Sequence, residues 1–264
     1  MSPKTAPKAA LLLSLALAGC DVKIREGKAS MDMVSAEATD EWTHQYPLSV
    51  GGLVEIVNFG GAVIMTQGTG NTVEVHALAK ARTLTDAGAR DILTKAKIQE
   101  VSQPDLLHIE TVMPRGIHGS YIVNYDVRVP PGSRTDVSTT NGTIKMTALD
   151  GKAKATAING KVELQDIRGS IDSVVANGSL TAHLSRITAP VRLEITNGSM
   201  ILQMPSDSKV NLSARVINGT LGVSGLTVDQ PTGRRIRTLE ALLNGGGPEV
   251  SARVTNGRLS IEGK

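Results

Sequence analysis

Cys20 is the one cysteine in the chain, and it ends the run Leu17-Ala18-Gly19-Cys20. A lone thiol behind small residues is a candidate for covalent lipid, and it closes no disulfide within the chain. The other residue types that do chemistry are scattered. His44, His76, His108, His118 and His183 show no metal-ligand spacing and no pairing with acids nearby in sequence, so each reads as structural. Asp136, Asp150, Asp166, Asp172 and Asp207 read at different offsets from the repeated turns described below, with Asp150 and Asp166 nearest to one another at +9 and +7. Carboxylates that do not share a face cannot divide acid and base work. Gly245-Gly246-Gly247 lacks the strand, helix and lysine of a phosphate loop, and no Gly-x-Ser-x-Gly element occurs. The expectation is no enzyme, no cofactor and no metal; the alternative is a solenoid polysaccharide lyase or hydrolase using Asp150 and Asp166. Arg234, Arg235 and Arg237 form the densest basic cluster and are candidates to contact an acidic partner or anionic lipid.

The residues before Cys20 define its setting. Lys4 and Lys8 make a short basic region, and Ala9 to Ala18 are apolar except for Ser14. A run of about ten residues is too short to span a bilayer as a helix and suits the apolar part of a signal peptide. The stretch resembles the lipobox read by the lipoprotein signal peptidase. That resemblance implies cleavage after residue 19, a diacylglyceryl thioether on Cys20 and N-acylation, enough acyl chain for stable anchoring. The leader holds two lysines and no acid, so the formal charge falls from +3 to about +1 without it. Neither that balance nor export fits a nucleic-acid partner.

The elements that position the rest repeat. Asn-Gly occurs at Asn141, Asn159, Asn177, Asn197, Asn218 and Asn256, at intervals of 18, 18, 20, 21 and 38 residues. Apolar or small residues stand six, four and two places before each Asn and three and five places after it. Polar or charged residues fill most places between. Period-two alternation on both sides of a turn makes each unit strand, turn, strand with one face buried. Two architectures share that parity. An antiparallel meander of type I′ hairpins would have to close as a barrel or sandwich. A β-solenoid of 18–21-residue coils buries its inward face against its own opposite wall and stacks the asparagines in a ladder. The small residues four places before each Asn suit the narrow coil, so the expected fold is all-β and solenoidal, with Asn256 ending the ladder. The aromatics (Trp42, Tyr46, Phe59, Tyr121, Tyr125) all precede the repeats, whose core must be thin.

Four segments follow: a signal peptide (1–19), a lipidated N-terminus and tether (20–47), N-terminal strands with one short helix (48–130), and the repeats (131–264). In the third, Thr85 is a suitable N-cap for a helix over 85–97, with Leu84 and Ala89 as a staple, and Asn58-Phe59-Gly60-Gly61 stands where a degenerate Asn-Gly turn would. The Thr-Asn-Gly and Ile-Asn-Gly units, the lead-in Val127-Arg128-Val129-Pro130-Pro131-Gly132 and the closing Leu243-Asn244-Gly245-Gly246-Gly247-Pro248 resemble the putative adhesin family. Those are bacterial envelope domains of unknown function, related to autotransporter-adhesin heads. The resemblance covers residues 48–263, implies a β-solenoid and carries over no catalytic residue. Together these readings predict a membrane-anchored envelope lipoprotein with a non-catalytic binding or scaffolding domain. Its expected partners are the membrane, through Cys20, and an envelope protein, glycan or peptide.

Overall fold

Alternation on both sides of each Asn-Gly becomes strands that run through the pair instead of stopping at it. In the computed structural model these are β9 (Arg134–Thr147), β10 (Ala153–Gln165), β11 (Ile171–His183), β12 (Val191–Met204), β13 (Val210–Ser224) and β15 (Glu249–Gly263). The structure describes residues 20–25, 28–33, 36–113, 116, 118–228 and 237–264. Along β10 the buried positions are Ala153, Ala155 and Ala157 before the turn, then Val162 and Leu164 after it. The inward parity changes from odd to even at Asn159-Gly160. Each such strand is thus a rung of two arms that meet at Asn-Gly and bury alternate side chains.

The rungs pair in parallel and in register, Asn on Asn and Gly on Gly: β9 on β10, β10 on β11, β11 on β12. The antiparallel meander is therefore not formed in the repeats. The thirteen-stranded main sheet is mixed and is not closed into a barrel. One placement departs from chain order. β15 lies between β12 and β13, parallel to both, and β14 (Thr238–Leu243) runs antiparallel along the first arm of β13. The 38-residue interval reflects this return. Asn256 is an interior member of the ladder and Asn218 ends it, reversing the sequence expectation.

Close approach at the turns explains the glycines. A Cβ on Gly178 would stand 1.8 Å from the Gly160 carbonyl oxygen, and Gly160, Gly198, Gly257 and Gly219 repeat that geometry. Gly178 also has φ of 139°, which a side chain disfavours. Every inward position six, four and two before Asn, and three and five after, is buried except Leu221 and Val223. Those two are half-buried, on the arm of β13 that β14 does not cover.

The N-terminal part opens the stack into two layers. β4 (Leu53–Gln67) pairs with β9 over both arms, Gly60 opposite Asn141 and Gly61 opposite Gly142. On its other side its arms part company: Leu53–Val57 pair with β7 (Leu106–Val112), and Val63–Gln67 pair with β8 (Ser120–Val129). β7 continues to β6 (Lys97–Gln103), while β8 continues to β5 (Thr72–Thr83) and β3 (Ala36–Pro47). Residues 36–47, expected within a tether, are thus a strand of the main sheet. β1 (Cys20–Arg25) and β2 (Lys28–Met33) form a separate antiparallel pair. The wider interior takes the aromatics: Tyr121 and Tyr125 are buried, and the Tyr125 hydroxyl lies 2.8 Å from Thr111 Oγ1, which donates to Asn58 Oδ1. Burial pushes the Tyr121 phenol up to about 12 and the Tyr125 phenol higher still. The expected helix spans Asp86–Lys95 as α1. Thr85 Oγ1 accepts from Gly88 N at 3.1 Å, and Ala89 and Ile92 are buried. Leu84 is 63% exposed and does not bury against Ala89 as a staple would.

Two stability measurements test this account. In urea denaturation of residues 20–264, Gly178→Ala should cost about 3 kcal/mol or more, from steric overlap and positive-φ strain. Gly70→Ala, where the nearest atom is 3.8 Å from the new carbon, should stay within about 0.5 kcal/mol. Asn177 donates to Asn159 Oδ1 at 3.0 Å and accepts from Asn197 Nδ2 at 2.9 Å, whereas Asn218 only donates, to Asn256 Oδ1. Both are exposed, so the amides left behind rehydrate. Asn177→Ala should cost about 1–2 kcal/mol and Asn218→Ala about half as much, at roughly 1 kcal/mol per bond. Equal losses would disprove the cross-rung role.

Candidate functional site

In-register pairing turns each outward offset into a row of side chains across the rungs. Five places before the Asn, the row reads Asp136, Lys154, Asp172, Arg192, and Glu55 of β4 extends it. Asp136 and Asp172 thus do share an offset, correcting the sequence reading of scattered acids. Lys154 Nζ lies 2.8 Å from Asp136 Oδ2. The Asp136 carboxylate raises the Lys154 ammonium pKa, with smaller help from Asp172 and Glu55. Asp172 Oδ1 is buried without a hydrogen-bond partner among the described residues. Two places on, Arg192 and Arg253 reach Glu194 at 3.0 and 3.9 Å. Arg253 is paired with Arg215 on β13, and both are exposed. At the end of the stack the outer face of the first arms thus sets Arg215 beside Arg253, with the exposed Glu249 and Glu240 further along the same arms.

The second arms carry shorter networks. Lys161 pairs with Glu163, and its ammonium holds the Glu163 carboxyl below its ordinary range. Further out, His183 bonds Gln203, whose amide donates to Glu262 at 2.7 Å. A shallow cavity of about 250 Å³ lies there, lined by Asp166, His183, Gln203, Met204 and Lys264 among others.

Three of the histidines pair with glutamates distant in sequence. His108 Nδ1 is 2.7 Å from Glu55, His76 Nε2 is 2.6 Å from Glu41, and His44 Nδ1 is 3.3 Å from Glu100. The partners sit on neighbouring or facing strands, 35 to 56 residues away. Around His44 the ring of Trp42 is tilted at 4.5 Å, and the Tyr46 hydroxyl donates to Glu100 at 2.5 Å. Burial and that bond raise the Tyr46 phenol far above its ordinary range.

The remaining expected residues are not brought together. Asp150 accepts from Gln67 Nε2 at 2.9 Å and has Arg168 Nη1 at 3.2 Å without hydrogen-bond alignment. Asp166 sits in a turn with φ of 53° and donates its backbone N–H to His183. No hydrogen bond or ion pair joins the two acids among the described residues. No group of three metal-binding side chains occurs among those residues either. The six asparagines form one chain of side-chain bonds, from Asn218 through Asn256, Asn197, Asn177 and Asn159 to Asn141. Cys20 begins β1, opposite Met33. Arg234 and Arg235, like the leader, lie outside the described residues. Arg237 is exposed, with Nη1 3.4 Å from the Ile217 carbonyl oxygen and its own carbonyl accepting from Val216 N. That places it beside Arg215. Among the described residues no helix is long and apolar enough to cross a membrane.

No family model and no curated protein matches the chain. Solved structures are similar to it, and three of them are as follows. A putative cell adhesion protein from Clostridium sporogenes ATCC 15579 is 14% identical, covers 86% of this chain and 100% of its own, and superposes with a TM-score of 0.48. A putative adhesin from Bacteroides fragilis NCTC 9343 is 11% identical over 85% and 97%, with a TM-score of 0.40. A putative lipid binding protein from Parabacteroides distasonis ATCC 8503 is 9% identical over 84% and 96%, with a TM-score of 0.31.

The charged row makes a testable claim. Lys154→Met should lower stability at pH 7 by up to about 1 kcal/mol, because the ammonium is half exposed and screened. Adding Asp172→Asn should recover part of that loss by removing a carboxylate left beside the gap. The Lys154 pKa is raised on folding, so its contribution is complete below the ordinary lysine range and fades as pH rises through the folded value.

Proposed function

We propose that the chain is an envelope lipoprotein, held to the membrane by lipid on Cys20, whose folded part is a β-solenoid that binds a partner and catalyses nothing. The observation that carries this reading is the in-register stacking of the rungs. It arranges outward side chains in rows, in which Asp136 is tied to Lys154 and Glu194 to Arg192. A face of that kind suits recognition over length, as in other repeat proteins. The change of inward parity at each Asn-Gly supports the coil. Arg215 and Arg253, paired across β13 and β15 with Arg237 beside them, suit contact with an acidic partner or an anionic headgroup, a role that Arg234 and Arg235, close to Arg237 in sequence, would share.

Labelling with palmitate in cells tests the anchor. The wild-type chain should take up label and fractionate with membranes as processed protein, and Cys20→Ala should do neither. Processed, labelled Cys20→Ala protein would refute the lipoprotein reading. Incubation of the purified protein with a panel of polysaccharides should give no turnover. Turnover lost in the Asp150→Asn/Asp166→Asn variant would replace the binding role with a lyase or hydrolase.

A further inference from the structure

Among the repeats, spatial order departs from chain order only at β15, which bonds β12 on one side and β13 on the other along both arms. Yet β12 and β13 are joined as direct neighbours are. Their connection, residues 205–209, is as long as 148–152 and 166–170, which link rungs lying side by side. Asn197 and Asn218 are 21 residues apart, close to the 18 and 20 of adjacent rungs. β13 also carries what a rung needs to sit directly on β12. Asn218 would meet Asn197, Gly219 would meet Gly198, and Leu212, Ala214 and Val216 share the inward parity of Val191, Leu193 and Ile195.

The slot that holds β15 can therefore close behind it. Outside the strand ladders, Gln203 Nε2 donates to Glu262, Lys264 Nζ donates to Gln203 Oε1 and Arg253 pairs with Glu194, and a few further bonds hold the strand's ends. Lys264 N donates to Met204 O, Ser206 N donates to Lys264 O, and Asn244 Nδ2 donates to the carbonyls of Ser206 and Ser208. Residues 225–248 join β13 to β15. β14 within it stays paired with β13, so the tether to β15 is residues 244–248, which extended at about 3.3 Å per residue reach roughly 16 Å, about three rung spacings of roughly 4.8 Å.

We propose that β15 is an exchangeable strand and that its partner in the exchange is a second copy of this chain. When β15 leaves, β13 closes onto β12 in the common Asn register. Reopened, the slot takes the β15 of a second copy, whose own slot takes the first. A second copy is the occupant because β15 itself has the turn, the glycine and the inward residues that fit the slot. The swapped pair keeps every bond within the rungs that the single chain makes.

Cross-linking in the full chain carrying Cys20→Ser tests this, since the introduced thiols are then the only ones. Ser199 is paired with Arg258, and Arg258 with Thr220. The Ser199→Cys/Arg258→Cys chain should close an internal disulfide, which checks that the slot is filled. Single variants Ser199→Cys and Arg258→Cys, mixed and then oxidised mildly, should give disulfide-linked heterodimers. These should be several-fold more abundant than those from Thr143→Cys mixed with Lys161→Cys, a neighbouring pair on β9 and β10. Asn244→Gly, which removes the side-chain bonds and keeps the positive-φ turn, should raise the heterodimer rate several-fold. In one chain, Ser199→Cys/Thr220→Cys should cross-link slowly and incompletely. Those positions are two rungs apart when β15 is in place, roughly 10 Å, beyond disulfide reach. Heterodimers no more abundant than in the Thr143/Lys161 mixture would overturn the exchange, and absence of any Ser199–Thr220 disulfide would overturn the closing slot.

Discussion

The distance of closest approach between rungs at the turns governs this molecule. A glycine of one rung lies against the carbonyl of the glycine below it, with no room for a side-chain carbon. That contact fixes register at one point per rung. Because side chains alternate with period two, a fixed point fixes every inward and outward position along both arms. The asparagines bond from rung to rung beside this contact and reinforce it at the surface. Thin residues in the core and rows of charge outside both depend on that shared register.

Much of this was legible in the chain because the information is periodic. The inward offsets from Asn predicted the buried set, and only Leu221 and Val223 of the end rung stay half-buried. The Thr85 cap was legible because it is local. Pairings between distant segments were not. Nothing near His44 in sequence announces Glu100, which arrives on β6 after two strands and a helix. The position of β15 was hidden for a different reason: its apolar pattern matches that of every other rung, so the pattern fits a slot inside the stack as well as one at its end. Only the 38-residue interval marked something unusual. The shared offset of Asp136 and Asp172 was present in the sequence and follows from the same register that placed the core.

The division of aromatics between the two parts has a steric origin. Where the arms of β4 separate onto β7 and β8, the space between layers widens, and Tyr46, Tyr121 and Tyr125 fill it. Their hydroxyls need partners in an apolar setting, supplied by Glu100 for Tyr46 and Thr111 for Tyr125. In the rungs, where small and branched side chains suffice, a phenol would find neither the width nor the partner.

A row of parallel rungs has no intrinsic stopping point, since its top edge matches its own bottom edge and copies would add end to end into fibres. On the first arms both outermost strands run backwards: β6 is antiparallel to β7 and β14 is antiparallel to β13. β14 covers one arm and contains no Asn-Gly. An incoming rung there meets a strand of the wrong direction, too short to template a bend. On the first arms the stack thus carries its own measure of length, because the reversed strands oppose the end-to-end addition of further parallel rungs.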